Sequence, residues 1–267
     1  MPARTLDLSV VAPARNEAGN LPALVEELDA VLRHGDLTYE IIVVDDGSTD
    51  DSPRVLAALA RRFPALRPLR LAAGLAGSAQ GQSAAFAAGF AFARGHIIAT
   101  MDADLQNDPA DLPGLIDVLH ATGVDLVQGN RTRARAEGLI RRATSGVGRL
   151  ARRLLLRDSV EDTGCSLRVM RAAVADRLPL EFAGMHRFIP ITAEQLGFTV
   201  CERPVTHRPR SSGRGHYGVW NRAWPGLLDC LAVRWMGRRR RVTDATPIVT
   251  DASKPLDRQP APLERSA

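Results

Sequence analysis

Residues 97–109 read IIATMDADLQNDP, an apolar run that ends in alternating acids. Ile97–Met101 has the composition of a buried strand, and Asp102, Asp104, Gln106 and Asp108 then fall on every second residue. Asn107 and Pro109 supply the turn. Carboxylates crowded at the end of a buried strand repel one another and lose hydration, so the arrangement asks for a cation or a bound ligand.

Strand-like and helix-like segments alternate outward from this stretch. Residues 8–12, 40–44, 66–71 and 125–129 read as further strands, and 52–62 and 112–120 as helices. Asn16 or Asn20 can cap a helix running to about residue 33, and an alanine-rich helix follows the glycine-rich loop GSAQGQ. Alternation of this kind predicts an α/β fold, a mostly parallel sheet covered by helices on both faces. Ligands of such sheets bind beyond the carboxyl ends of the strands. PARNE (13–17), DDGSTD (45–50) and DADLQ (102–106) each follow a strand directly, so all three gather on that edge. The glycine loop suggests a phosphate cradle only weakly, since no Gly-Lys-Ser/Thr follows to make it a Walker motif, and close helix–sheet packing is at least as good a reading of Gly81 and Gly89.

At 267 residues the chain is long enough for one α/β domain with an appendage. A net charge of +5 and a pI near 9.8 point to an anionic partner. Lys254 is the only lysine; arginine carries the rest of the positive charge and favours bidentate phosphate contacts. The pI alone would allow nucleic acid, but aromatic residues are few and no reading motif is present. Cys165, Cys201 and Cys230 are odd in number and widely spaced, which gives neither a zinc pattern nor a disulfide framework. The N-terminus MPARTLDLSVV lacks the apolar core of a signal peptide, and no run reaches the ~18 apolar residues of a membrane-spanning helix.

The motifs VVAPARNE, IIVVDDGSTD, GQSAAFAAGF and MDADLQNDP together resemble the family 2 glycosyltransferases of the GT-A fold. Among them the pattern is similar to the polyprenyl-phosphate sugar transferases, over roughly residues 6–236. The resemblance implies a Rossmann-like GT-A sheet, with a nucleotide and metal half at 6–130 and an acceptor half at 131–218. It places Pro13, Arg15, Glu17, Val44 and Asp46 around the nucleoside, although many relatives carry a tyrosine where Arg15 stands. Asp102, Ala103, Asp104 and Gln106 would hold the diphosphate and Mg²⁺ or Mn²⁺, with Asp104 and Gln106 as the direct metal ligands. Arg131 would meet phosphate, Arg141 and Ser145 the lipid phosphate of the acceptor, and Arg210 and Arg214 the donor. Asp102, Asp104 and Arg131 are the catalytic candidates.

The expected reaction is inverting transfer of a sugar from a UDP- or GDP-sugar to a polyprenyl phosphate. A phosphate acceptor is already anionic near neutral pH and needs no general base. If the acceptor were a sugar hydroxyl, Glu161 and Asp162 would be the base candidates. A non-catalytic sugar-nucleotide-binding adaptor is the third reading, weakened by the intact DADLQ. The QxxRW signature of processive synthases is missing, since Leu231 and Ala232 precede VRW without the glutamine. Arg149, Arg152, Arg153 and Arg157 read as a solvated basic face.

Trp220, Trp224 and Trp235 fall near Leu227, Leu228 and Leu231, flanked by Arg222, Arg234 and Arg238–Arg241. Residues 219–241 therefore suit an amphipathic helix lying at a membrane surface, and 242–267 a disordered tail. These features predict peripheral contact with the cytoplasmic face of a membrane.

Overall fold

A computed structural model of the protein describes residues 3–72, 79–132, 152–209 and 220–240. The strands are β1 (Leu6–Ala14), β2 (Tyr39–Asp45), β3 (Leu66–Arg70), β4 (Gly95–Thr100), β5 (Leu126–Asn130), β6 (Arg168–Arg171) and β7 (Val200–Pro204). The helices are α1 (Leu21–Arg33), α2 (Ser52–Arg62), α3 (Gln82–Phe92), α4 (Leu112–Thr122), α5 (Ala172–Ala175), α6 (Ile189–Gln195) and α7 (Trp220–Arg239).

One seven-stranded sheet takes the order β3-β2-β1-β4-β6-β5-β7. All neighbours pair in parallel except across β6, which is antiparallel to both β4 (Ile98↔Met170) and β5 (Val127↔Val169). The mostly parallel sheet is as expected from the alternating pattern. The inserted reverse strand is not: RVMR is short, carries arginine at both ends and has no periodicity to read. Its direction matters for the site. Because β6 runs backwards, its first residues lie at the edge where β4 and β5 end.

Alternation along the strands divides the core into two layers. Leu8, Val10 and Ala12 of β1 and Ile41 and Val43 of β2 pack with Leu21, Leu24, Leu28, Leu112 and Leu115 of α1 and α4. Val11, Ile42 and Val44 pack on the other face with Phe86 and Phe90 of α3, Ile189 and Ile191 of α6, and Cys230 and Val233 of α7. Side chains pointing alternately up and down from fully buried strands give this two-sided core. Gly89 lets α3 sit directly on the sheet, since a Cβ there would overlap Val11 Cγ1 and come 3.3 Å from Val44 Cγ2. Gly81 has a different reason: its φ of +88° favours glycine, and the space beside it is open.

Helix α7 has an inner face, Cys230 and Val233, and an outer one on which Leu228, Leu231 and Trp235 remain 50%, 46% and 63% exposed. Among the described residues no helix is long and apolar enough to cross a membrane. The expected tail, 242–267, lies outside the described residues.

Candidate active site

The three motif turns are stitched together at the carboxyl edge of the sheet. Asn16, with φ of +57°, uses its Oδ1 to accept the Thr49 N–H at 2.8 Å, and its own N–H donates to Ser48 Oγ at 2.9 Å. The Glu17 N–H donates to Ser52 Oγ at 3.0 Å. PARNE is thereby fixed against DDGSTD, and Asn20, not Asn16, takes the cap position of α1. Asp46 accepts the main-chain N–H groups of Gln80 (2.7 Å) and Gly81 (2.8 Å), which ties the end of β2 to the start of α3.

Beside these turns a cleft of about 520 Å³ opens beyond β4, β5 and β6. Asp102, Asp104, Gln106 and Arg131 all line it, so four sequence-identified residues meet in one place. Asp102 accepts from the Gln82 side-chain amide, and its main-chain N–H donates to Ser166 Oγ at 3.1 Å. Burial, and next the charge of Asp104, push the Asp102 pKa above its ordinary 3.8. Ala103 is buried in the core beneath the turn. Gln106 presents its main-chain carbonyl to the Arg208 N–H at 2.8 Å, and Arg208 also clamps Asp108 (2.8 Å) and Glu27 (2.6 Å).

Pro13, Arg15, Glu17 and Asp46 stand at the neighbouring ends of β1 and β2 and do not line this cleft. Arg15 is exposed, and Glu17 accepts from the Asn20 amide at 2.6 Å. Val44 is fully buried, so its side chain packs behind the edge and not at it. Arg141, Ser145, Arg210 and Arg214 lie outside the described residues.

Arg131, at the end of β5, is only 7% exposed. Its Nε and Nη2 donate to the two carboxylate oxygens of Asp162 at 2.9 and 3.1 Å, and its main-chain N–H adds a third bond of 3.1 Å. Burial opposes the Arg131 charge, but Asp162 outweighs it and holds the pKa above the ordinary arginine value. The turn that carries Asp162 is itself held from β7, where the Glu202 carboxylate accepts the N–H groups of Glu161 (2.8 Å) and Asp162 (3.0 Å). A carboxylate bound to an arginine through both oxygens is a poor general base, which weakens the hydroxyl-acceptor reading for Asp162. Glu161 is exposed and accepts from Asn130 Nδ2 at 3.2 Å.

Several lining residues carry no signal in the sequence. Arg168, at the start of β6, is 2% exposed and bonds to Gln128 Oε1 (2.9 Å), the Cys165 carbonyl and the His186 carbonyl (3.3 Å). Burial brings its pKa down to about 10. His186 and Arg187 belong to a 3₁₀ turn, Met185–Phe188, and complete the wall with Gln82 and Phe86. One sequence expectation is overturned nearby. Arg152 is not on a solvated face: it is buried, forks onto both Asp158 oxygens at 3.1 Å and reaches Thr163 Oγ1 at 2.5 Å. Arg153 and Arg157 are exposed, and Arg149 lies outside the described residues.

Among the described residues no three His, Cys, Asp or Glu side chains form a metal cluster. The donors at the β4 turn still fit a hard divalent ion. They are two neighbouring carboxylates, one of them held above its ordinary pKa by burial and next by the charge of the other, with a carboxamide two residues on.

Comparison with known proteins bears on the family and the fold. The family model of Glycosyl transferase family 2 matches residues 9–178. The dodecaprenyl-phosphate galacturonate synthase of Rhizobium johnstonii is 36% identical over 241 residues, covering 89% of this chain and 69% of the relative. The undecaprenyl-phosphate 4-deoxy-4-formamido-L-arabinose transferase of Sodalis glossinidius is 34% identical over 212 residues. That match covers 79% of this chain but 63% of the relative, so the chain spans under two thirds of that protein's length. The fold matches glucosyl-3-phosphoglycerate synthase from Mycobacterium tuberculosis, crystallised with Mn²⁺, UDP-glucose and phosphoglyceric acid. There the TM-score is 0.64 at 20% identity, over 85% of this chain and 80% of the other. The sheet order, the acidic turn at its carboxyl edge and the extent of the sequence match lead to one assignment: this chain is a glycosyltransferase belonging to Glycosyl transferase family 2.

Proposed function

We propose that this chain moves a sugar from a nucleoside diphosphate to a polyprenyl phosphate, with inversion at the anomeric carbon. The observation that carries the reading is the meeting of Asp102, Asp104 and Gln106 with the buried Arg131 in one cleft. A metal-diphosphate site and an anion site side by side suit an acceptor that is itself a phosphate. The names of the two curated relatives, both prenyl-phosphate sugar transferases, support the same acceptor.

In this reading Asp104 and Gln106 hold Mg²⁺ or Mn²⁺, and Asp102 keeps the Gln82 amide and the β4 turn in place. When bound, the metal supplies positive charge to the diphosphate. Arg131, oriented by Asp162, presents its guanidinium to phosphate oxygens at the next strand end. An acceptor phosphate oxygen forms the new bond to the anomeric carbon as the bond to the nucleoside diphosphate breaks and takes its electron pair away. No proton has to be removed from the attacking group, so the protein's task is to bring anions together by fixed charge. Pro13, Arg15, Glu17 and Asp46 bound the nucleoside one strand away, and Arg141, Ser145, Arg210 and Arg214 add phosphate contacts. The exposed face of α7 lies in the headgroup layer of the cytoplasmic membrane surface, with the exposed Arg238 and Arg239 toward anionic lipid.

The test is incubation of the purified protein with undecaprenyl phosphate, Mn²⁺ or Mg²⁺ and a panel of UDP- and GDP-sugars, followed by mass spectrometry. A lipid-linked phosphosugar absent with Asp104→Ala is the expected result. Donor hydrolysis without lipid product would move the acceptor to another class, and tight nucleotide binding without turnover would favour the adaptor reading.

A further inference from the structure

The cleft has three walls. The turn after β4 offers Asp102, Asp104 and Gln106, and the end of β5 with the 162–164 turn offers Arg131. The third wall is Gln82 and Phe86 of α3 with His186 and Arg187 of the 3₁₀ turn. If the diphosphate takes the first and the acceptor phosphate the second, the sugar between them faces the third.

That third wall is tied to its neighbours by hydrogen bonds at His186 and carries the exposed guanidinium of Arg187. The His186 N–H donates to Ser83 Oγ at 3.1 Å, the same hydroxyl lies 2.9 Å from the ring Nδ1, and Arg168 holds the His186 carbonyl at 3.3 Å. With the main-chain donor already filling one Ser83 acceptor position, the assignment that satisfies every group sends the hydroxyl proton to Nδ1. The ring proton is then on Nε2. Burial, and next the charges of Arg187 and Arg168, push the imidazole pKa down to about 3, so the ring is neutral at physiological pH. Arg187 completes the wall. Asp102 and Asp104 serve the first wall and Asp162 is engaged by Arg131, so no carboxylate lining the cleft pairs with Arg187 among the described residues. An uncompensated guanidinium beside an N–H donor complements a group that only accepts hydrogen bonds and carries negative charge.

We propose that His186 and Arg187 bind a carboxylate on the donated sugar, which makes the preferred donor a nucleoside-diphosphate hexuronate. The assignment rests on the glycosyl-transfer reading above. It goes further in naming the sugar class and the residues that select it.

Matched donors that differ only at C6 provide the test: UDP-glucuronate against UDP-glucose, UDP-galacturonate against UDP-galactose, and GDP-mannuronate against GDP-mannose. Binding is measured by calorimetry with Mn²⁺, and kcat/KM and the KM for undecaprenyl phosphate are measured for wild type, Arg187→Gln and Arg187→Lys. One uronate is expected to be preferred over its hexose by roughly 10–100-fold, the range of a charge-assisted hydrogen bond. Arg187→Gln should bring that ratio to within about 3-fold, and Arg187→Lys should retain part of it. Equal use or a preference for the neutral hexose overturns the proposal. So does a rise in KM for undecaprenyl phosphate that is the same with every donor, which would make the acceptor phosphate the anion that Arg187 meets. Binding of UDP without C6 discrimination overturns this inference alone, whereas failure to bind UDP or GDP overturns the glycosyl-transfer reading as well.

Discussion

Asp162 tests whether the Arg131 site is a held cation or an acid–base centre. The two side chains are 8% and 7% exposed, and Asp162 takes three hydrogen bonds from Arg131. Asp162→Asn keeps the shape but removes the charge and turns an N–H donor toward a guanidinium. Breaking a buried ion pair costs about 3–5 kcal/mol, and because the residual exposure admits some water the lower end, about 3 kcal/mol, applies here. For a chain of this size that lowers Tm by roughly 6–12 °C. Arg131→Met leaves Asp162 buried without its partner and should cost a similar amount. The double variant should lose much less than the sum, with a coupling of about 2 kcal/mol or more in urea denaturation. Additive losses within about 0.5 kcal/mol would refute the buried-pair account. In the pH–rate profile, Asp162→Asn should keep every limb of the wild type. Disappearance of the acidic limb would make Asp162 a general base.

The acidic branch of stability should reflect Glu40, a buried carboxylate between Arg67 (2.5 Å) and Arg94 (3.0 Å) that also accepts from Ser9 Oγ at 2.7 Å. Burial works to raise its pKa, but the bonds from Arg67, Ser9 and Arg94 outweigh burial and hold it below the ordinary 4.5. Its contribution is thus present above pH 4.5 and lost as pH falls through the lower folded value. Glu40→Gln should flatten that part of the urea-midpoint profile, and an unchanged slope would contradict this. Gly89→Val should destabilise by about 2–3 kcal/mol through overlap with Val11, and a neutral result in thermal melts would mean that α3 does not sit so close to the sheet. Leu231→Glu with Trp235→Glu should reduce sedimentation with phosphatidylglycerol-containing vesicles by roughly 10-fold or more, since two large apolar groups leave the interface. Both side chains are exposed, so Tm should hold, and unchanged sedimentation would remove α7 from the membrane contact.

Legibility in the sequence follows periodicity. β1, β2 and β4 each contain a short apolar run (residues 10–12, 41–44 and 97–99), and the continuation of these strands into PARNE, DDGSTD and DADLQ locates the ligand edge from the order of residues alone. β6 is different: four residues with terminal arginines give no period, so its reversal, and with it the placement of Ser166 and Arg168 beside Asp102, stays hidden. Buried arginines mislead in the same way. Arg152 and Arg168 look like surface charge in sequence, because the carbonyls and carboxylate that satisfy them are brought close only by tertiary packing. Gly81 and Gly89 share a residue type but answer different demands, a left-handed φ at one and close helix–sheet approach at the other. His186 carries no motif at all. Its bond to Ser83 spans 103 residues, a separation that no local pattern encodes.

Transfer to a phosphate acceptor with inversion can be read from phosphorus and proton NMR of the product formed from undecaprenyl phosphate and the preferred donor. The acceptor phosphorus should change from monoester to diester and couple to the anomeric proton of the sugar, with the configuration opposite to that of the donor. An acceptor phosphorus that remains a monoester while donor is consumed, or a diester of retained configuration, would contradict it.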